Sequence, residues 1–153
     1  MQATDYIKQY LTQQHLLQLA TLAGDQPWCC TVYFVADADY NLYWASWPTR
    51  RHSREIVAHH KVAAAVAATF VKGKAEAGVQ LEGVARQLES SDEIRLIAQL
   101  YAAKFDRSTQ WIEDITANRT KHRLYKFTPS RYVIFDEVHF SGDEARQEFA
   151  SLA

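Results

Sequence analysis

Two periods of hydrophobic and polar positions divide this chain. Tyr6, Ile7, Tyr10 and Leu11 recur at helical spacing, which predicts an opening helix with Thr4 as its cap. A strand-like run follows from His15 to Leu22, and Ala23-Gly24-Asp25-Gln26-Pro27 has the composition of a turn. Trp28 to Val35 is dense in aromatic and β-branched residues and reads as a central strand. Asp37 to Asn41 then turns the chain into Leu42-Tyr43-Trp44-Ala45-Ser46-Trp47, so these three runs form an antiparallel meander. A second helix is predicted after Pro48, with Thr49 as its N-cap, reaching about His60.

The later pattern predicts strands over Val62 to Val71 and Ala77 to Leu88, separated by Lys72-Gly73-Lys74. Ser90-Ser91-Asp92-Glu93 opens a helix with Ile94, Ile97, Leu100 and Tyr101 on one face. Ser108-Thr109 opens a shorter one containing Trp111, Ile112 and Ile115. The chain returns to strand over His122 to Phe127 and Arg131 to Glu137, and Asp143 to Leu152 reads as a terminal helix. Six or seven strands, late helices and no βαβ alternation predict an α+β fold with a closed or half-closed antiparallel β-barrel and flanking helices. No repeat or Pro/Gly linker interrupts it, so residues 1–153 read as a single domain.

Composition narrows the function classes. With 48% hydrophobic and 23% charged residues the chain is not a disordered segment. Its 17 basic and 18 acidic residues nearly cancel, so no bulk field draws it to nucleic acid or to an anionic membrane. The longest apolar stretch, Val62 to Val71, is too short to cross a bilayer, and the polar N-terminus has no signal-peptide core; a cytoplasmic protein is expected. Cys29 and Cys30 are neighbours that an extended strand points to opposite faces, which excludes a disulfide between them and fits a reducing compartment. They read as small buried strand residues.

One local feature carries candidate chemistry. The helix beginning near Thr49 has Arg50 and Arg51 in its first turn, with His52 and Arg54 close behind. A helix N-terminus already carries a partial positive charge, so each such cation costs about 0.3–1 kcal/mol when exposed. An anion seated there removes the conflict. A phosphate would accept from helix N–H groups, from the hydroxyls of Ser46 or Thr49, and in two places from an arginine fork. Surface ion pairs for the arginines, with Ser and Thr acting only as caps, are the alternative.

Four pieces in this order resemble the FMN-binding split-barrel family typified by pyridoxamine 5′-phosphate oxidase, and within it a small bacterial branch. They are the early helix; Pro27-Trp28-Cys29-Cys30-Thr31-Val32; Leu42-Tyr43-Trp44-Ala45-Ser46 with Arg51-His52-Ser53-Arg54-Glu55-Ile56; and Val79-Gln80-Leu81-Glu82-Gly83-Val84-Ala85. The resemblance covers residues 3 to 90, and more loosely the strand around Tyr125 to Phe135. It implies an α+β fold built on a six- to seven-stranded antiparallel split β-barrel of Greek-key type with flanking helices, and a homodimer with FMN at the subunit interface and an unknown small-molecule substrate. In the family a strand lays its backbone against the flavin ring; carried over, that strand holds Cys30, Thr31 and Val32. The family's phosphate-binding hydroxyl, arginine and lysine fall on Ser46, Arg51 and His52, beside Thr49 from the charge argument. The family oxidase's basic residues on the Cys29 to Phe34 strand are absent here, and Ala77-Gly78 stands where it has an Arg-Gln pair, so the resemblance does not extend to vitamin B6 oxidation.

The expected function is therefore an FMN-dependent oxidoreductase, with no catalytic acid or base nominated because the flavin carries the redox chemistry. A non-catalytic dimeric barrel that has lost the flavin is the alternative from another class, and a haem-binding or haem-degrading barrel is the third. The histidines show no metal-ligand spacing and read as solvated or hydrogen-bonded side chains.

Overall fold

The computed structural model describes residues 1–153 and contains one antiparallel sheet with four α-helices. In chain order the elements are α1 (Ala3–Gln13), β1 (Leu16–Ala23), β2 (Gln26–Tyr33), β3 (Val35–Ala36), β4 (Leu42–Ser46), α2 (Arg51–Ala58), β5 (Lys61–Ala67), β6 (Ala77–Gln87), α3 (Ser91–Phe105), α4 (Thr109–Thr116), β7 (Arg123–Asp136) and β8 (Arg146–Phe149). Seven strands follow the order β2-β1-β5-β6-β7-β4-β3, and the short β8 pairs with β7. The two ends of that path, β2 and β3, are separated in sequence only by Phe34. One stretch of chain thus supplies both edges, so the sheet must curl into a half-closed barrel. This is the expected α+β split barrel.

Alternation along the strands fills the barrel. Leu17 and Leu19 on β1, Trp44 on β4, Val79 and Leu81 on β6, and Phe127 and Ile134 on β7 point inward and are buried. Helix α1 adds Ala3, Ile7, Tyr10 and Leu11 to the same core. A second cluster lies outside the barrel wall, where Ile97, Ala98 and Tyr101 of α3 and Ile115 of α4 pack against Tyr43, Leu88 and Leu124. Strand β4 is consequently buried on both faces, which explains its unbroken apolar sequence. Ser90 and Ser108 cap α3 and α4 by accepting from the N–H groups of Glu93 and Trp111.

Several sequence expectations change. Thr4 is not the cap of α1: the helix begins at Ala3, and the Asp5 carboxylate accepts from the Gln2 N–H at 2.9 Å. β2 is an edge strand with an exposed face, not a central one; Trp28, Cys29 and Tyr33 are all exposed. Cys30 and Val32 turn toward the core, while Cys29, Thr31 and Tyr33 form the exposed outer face. The two strands expected around Pro129 are one, because a register shift between Glu82 and Gly83 of β6 absorbs the irregularity. A Cβ at Gly83 would stand 2.1 Å from the Thr128 carbonyl oxygen, so glycine is what lets the two backbones approach. The predicted C-terminal helix is instead a 3₁₀ turn (Gly142–Ala145) followed by β8. The cause is an open edge. β4 pairs with β7 only from Arg123 to Phe127, which leaves Tyr132 to Phe135 free for Arg146–Phe149. No helix is long and apolar enough to cross a membrane.

Candidate functional site

Where β2, the end of β4 and the start of α2 meet, a cleft of about 330 Å³ opens on the surface. Thr31, Val32, Ser46 and His52 of the nominated residues line it, joined by Trp47, Arg50, Tyr101 and His122. The remaining nominations lie elsewhere. Cys30 is half-buried against the barrel core, and burial, then the neighbouring Cys29 and Glu55, push its thiol up to about 11. Thr49 does not cap α2; the cap is Arg50, and the Thr49 carbonyl accepts from Arg54 Nη1 at 2.9 Å. Arg51 is turned from the cleft: its Nε donates to Glu55 Oε1 at 2.8 Å, and its guanidinium lies 4.4 Å from the Trp28 ring centre. Arg51 is thus paired with Glu55 and lies outside the residues that line the cleft.

Glu55 explains the orientation of Arg51. Its carboxylate is buried and also accepts from Thr21 Oγ1 at 2.6 Å. The hydrogen bonds from Thr21 and Arg51 hold its carboxyl below the usual carboxylate value although burial pushes the other way. This network locks α2 to β1.

With Arg51 committed, the cation of the cleft is Arg50. Its guanidinium lies 4.7 Å from the Trp47 ring centre, with Lys121 Nζ 5.1 Å from the same ring. Neither side chain makes an ion pair, and neither does Arg107. The first intrahelical bond of α2 runs from the Arg54 N–H to the Arg50 carbonyl at 3.0 Å, so the N–H groups of Arg51, His52 and Ser53 precede any helical acceptor. No acidic residue offsets that end of the helix.

The two histidines of the cleft record the same positive field. His52 is buried with its Nε2 2.8 Å from Ser46 Oγ; burial, then Arg50, hold its pKa below the usual histidine value, against an opposing pull from Glu55. The Trp47 indole N–H donates to His122 Nε2 at 3.2 Å. An indole nitrogen can only donate, so that ring nitrogen carries a lone pair and His122 is neutral. Burial, then Arg107 and Arg50, lower its pKa as well. Trp47 and His122 lie 75 residues apart in sequence. No local pattern announces this pair, nor the contribution of Tyr101 from α3. Arg50 was visible within the basic first turn, but its separate role was not. No cluster of three or more His, Cys, Asp or Glu side chains is placed to hold a metal ion.

The fold defines a split-barrel protein, with a surface cleft where the unpaired Arg50 meets the start of a helix. Comparison with known proteins places it more narrowly. The profile of the family described as pyridoxamine 5′-phosphate oxidase matches residues 3–133, and the chain belongs to that family. Among curated proteins it is 31% identical over 84 residues to the UPF0306 protein plu4501 of Photorhabdus laumondii, a match spanning 54% of this chain and 59% of that relative. Among solved structures it superimposes on General Stress Protein 26 of Bacillus anthracis with a TM-score of 0.66 at 20% identity, over 88% of this chain and 94% of that one. It superimposes on HutZ, a haem storage protein of Vibrio cholerae, with a TM-score of 0.64 at 19% identity, over 99% and 96% of the two chains. At these identities the structural matches speak for the fold alone.

Proposed function

We propose that the cleft binds flavin mononucleotide and that the protein is an FMN-dependent oxidoreductase working on a small-molecule substrate in the cytoplasm. The observation that carries this reading is a group of cations without counter-ions, Arg50 foremost, at an N-terminal helix turn with free N–H groups. Arg50 and those N–H groups would take the phosphate, with the Ser46 hydroxyl, hydrogen-bonded to neutral His52, as a further donor. The backbone of Thr31 and Val32 would lie along the ring system, and Trp47 and Tyr101 would shield it from water. Bound flavin supplies hydride or single-electron transfer; the chain supplies binding, orientation and charge.

A homodimer belongs to the same reading. The outer face of β2, β1, β5 and β6 carries exposed Leu16, Tyr33 and Val84 among alanines such as Ala20, Ala63 and Ala65, with Phe105 of α3 against Tyr33 at one end. A second copy would bury it. The haem alternative, raised by the likeness to HutZ, is less favoured by the cleft. His122 Nε2 accepts from the Trp47 indole, which leaves its Nδ1 protonated and the ring without a lone pair for iron, and His52 is buried with its Nε2 engaged by Ser46.

A titration decides between these readings. Added FMN is expected to lose fluorescence saturably at one equivalent per chain, and equimolar haem is expected not to displace it. Absence of saturable FMN binding, or displacement by haem with a Soret band, would overturn the assignment.

A further inference from the structure

A second cavity, of about 530 Å³, shares no lining residue with the cleft; it lies between the segment joining β5 to β6 and the end of β7. Its walls are largely apolar, including Phe70, Val71, Phe135 and Val138, and Phe70 is 79% exposed. Lys74 and Glu76 add charge of both signs, and neither forms an ion pair.

The polar part of this cavity is a fixed relay. Asp136 is completely buried at the end of β7. Its Oδ1 accepts from the N–H groups of Val138 and His139 at 3.0 and 2.9 Å, which the turn after β7 requires. The turn does not account for Oδ2, which accepts from the Tyr10 hydroxyl at 2.6 Å and lies 2.8 Å from His139 Nδ1. Burial would raise the Asp136 carboxyl, but the hydrogen bonds from Tyr10 and His139 hold it below its usual value, so it is an ionised acceptor and Nδ1 of His139 must donate. The ring is held further by stacking on Tyr6, with centroids 3.9 Å apart. Nε2 has no partner within the chain, and His139 lines the cavity together with Tyr10. A buried carboxylate that fixes one imidazole nitrogen leaves the other as an oriented acceptor, the arrangement that makes histidine a directed ligand or base.

We propose that this cavity is a second ligand site, for a small phenol whose apolar body lies against Phe70, Phe135 and Val138 and whose hydroxyl donates to Nε2 of His139. The phenol class follows from the two features together: aromatic and aliphatic walls around a single oriented acceptor, with no cluster of cations to call for an acid.

Titration of the full chain with 4-propylphenol and with 4-propylanisole, followed by amide chemical shifts, tests this. The phenol is expected to bind saturably, to shift resonances from Phe70 to Ala77 and around Val138, and to bind roughly tenfold tighter than the anisole, which lacks the donor. His139→Phe keeps a flat ring against Tyr6 and removes Nε2; it is expected to equalise the two affinities. A His139→Phe variant whose amide resonances away from the cavity keep their wild-type positions is known to be folded, whether or not the other cleft takes FMN. Equal affinity of the wild type for both compounds, an unchanged preference in His139→Phe, or no saturable binding of the phenol would overturn the proposal.

Discussion

Trp44→Ala is expected to lower the free energy of unfolding by about 3–5 kcal/mol, the range for truncating a large aromatic in a core that does not collapse. Trp44 has no exposed surface, sits inside the barrel on β4, and stacks on Tyr125 of β7 with ring centres 5.9 Å apart and planes 8° from parallel. Both strands are hydrogen-bonded through this pair, so backbone movement to fill the void would break their ladder. The indole Nε1 has no hydrogen-bond partner, which makes Trp44→Phe the informative companion. It retains a ring and removes an unpaired buried N–H, so it is expected to cost only about 1–2 kcal/mol. Urea unfolding checks both, as shifts in midpoint at constant m-value. A loss under about 1 kcal/mol in Trp44→Ala would mean that the ring is not in the core.

The second large effect falls on Glu55. Glu55→Gln is expected to cost about 1–3 kcal/mol near neutral pH, because a buried carboxylate accepting from Thr21 and Arg51 is replaced by an amide that also presents donors. The partly exposed Arg51 contributes the smaller share, since water screens it. The sign of the pH dependence follows from the carboxyl being held below its ordinary value of 4.5 in the folded chain. Unfolded chains bind more protons in that range, so the wild-type advantage is complete above about 4.5 and disappears as pH falls through the lower, folded-state value. The stability difference between wild type and Glu55→Gln, measured against pH, should shrink below that point. A difference independent of pH would show that the carboxylate charge is not what is stabilised.

These residues also show where the sequence was legible. Alternation along β1 and β5 fits strands with one face committed to the barrel interior, the unbroken apolar run of β4 fits a strand buried on both faces, and the serine caps of α3 and α4 stood where hydroxyls before helical periodicity place them. The basic turn of α2 located the cleft but not the arginine. Successive helical residues point about 100° apart, so Arg50 and Arg51 cannot serve the same face. The i,i+4 spacing of Arg51 and Glu55 was in plain view and states which of the two is engaged. The Trp47–His122 pair and β8 were not legible, because each depends on a surface assembled from distant segments. β2 read as a central strand for a related reason: apolar composition reports that a face is to be covered, not by what.

The central claim is that the counter-ion-free charge at the start of α2, carried by Arg50 and not Arg51, holds a phosphate. The affinity ratio of FMN to riboflavin isolates that contribution, since the two differ only in the phosphate. It should favour FMN in the wild type, fall roughly tenfold in Arg50→Ala, and stay unchanged in Arg51→Ala. A ratio that survives in Arg50→Ala, or collapses only in Arg51→Ala, would contradict the account.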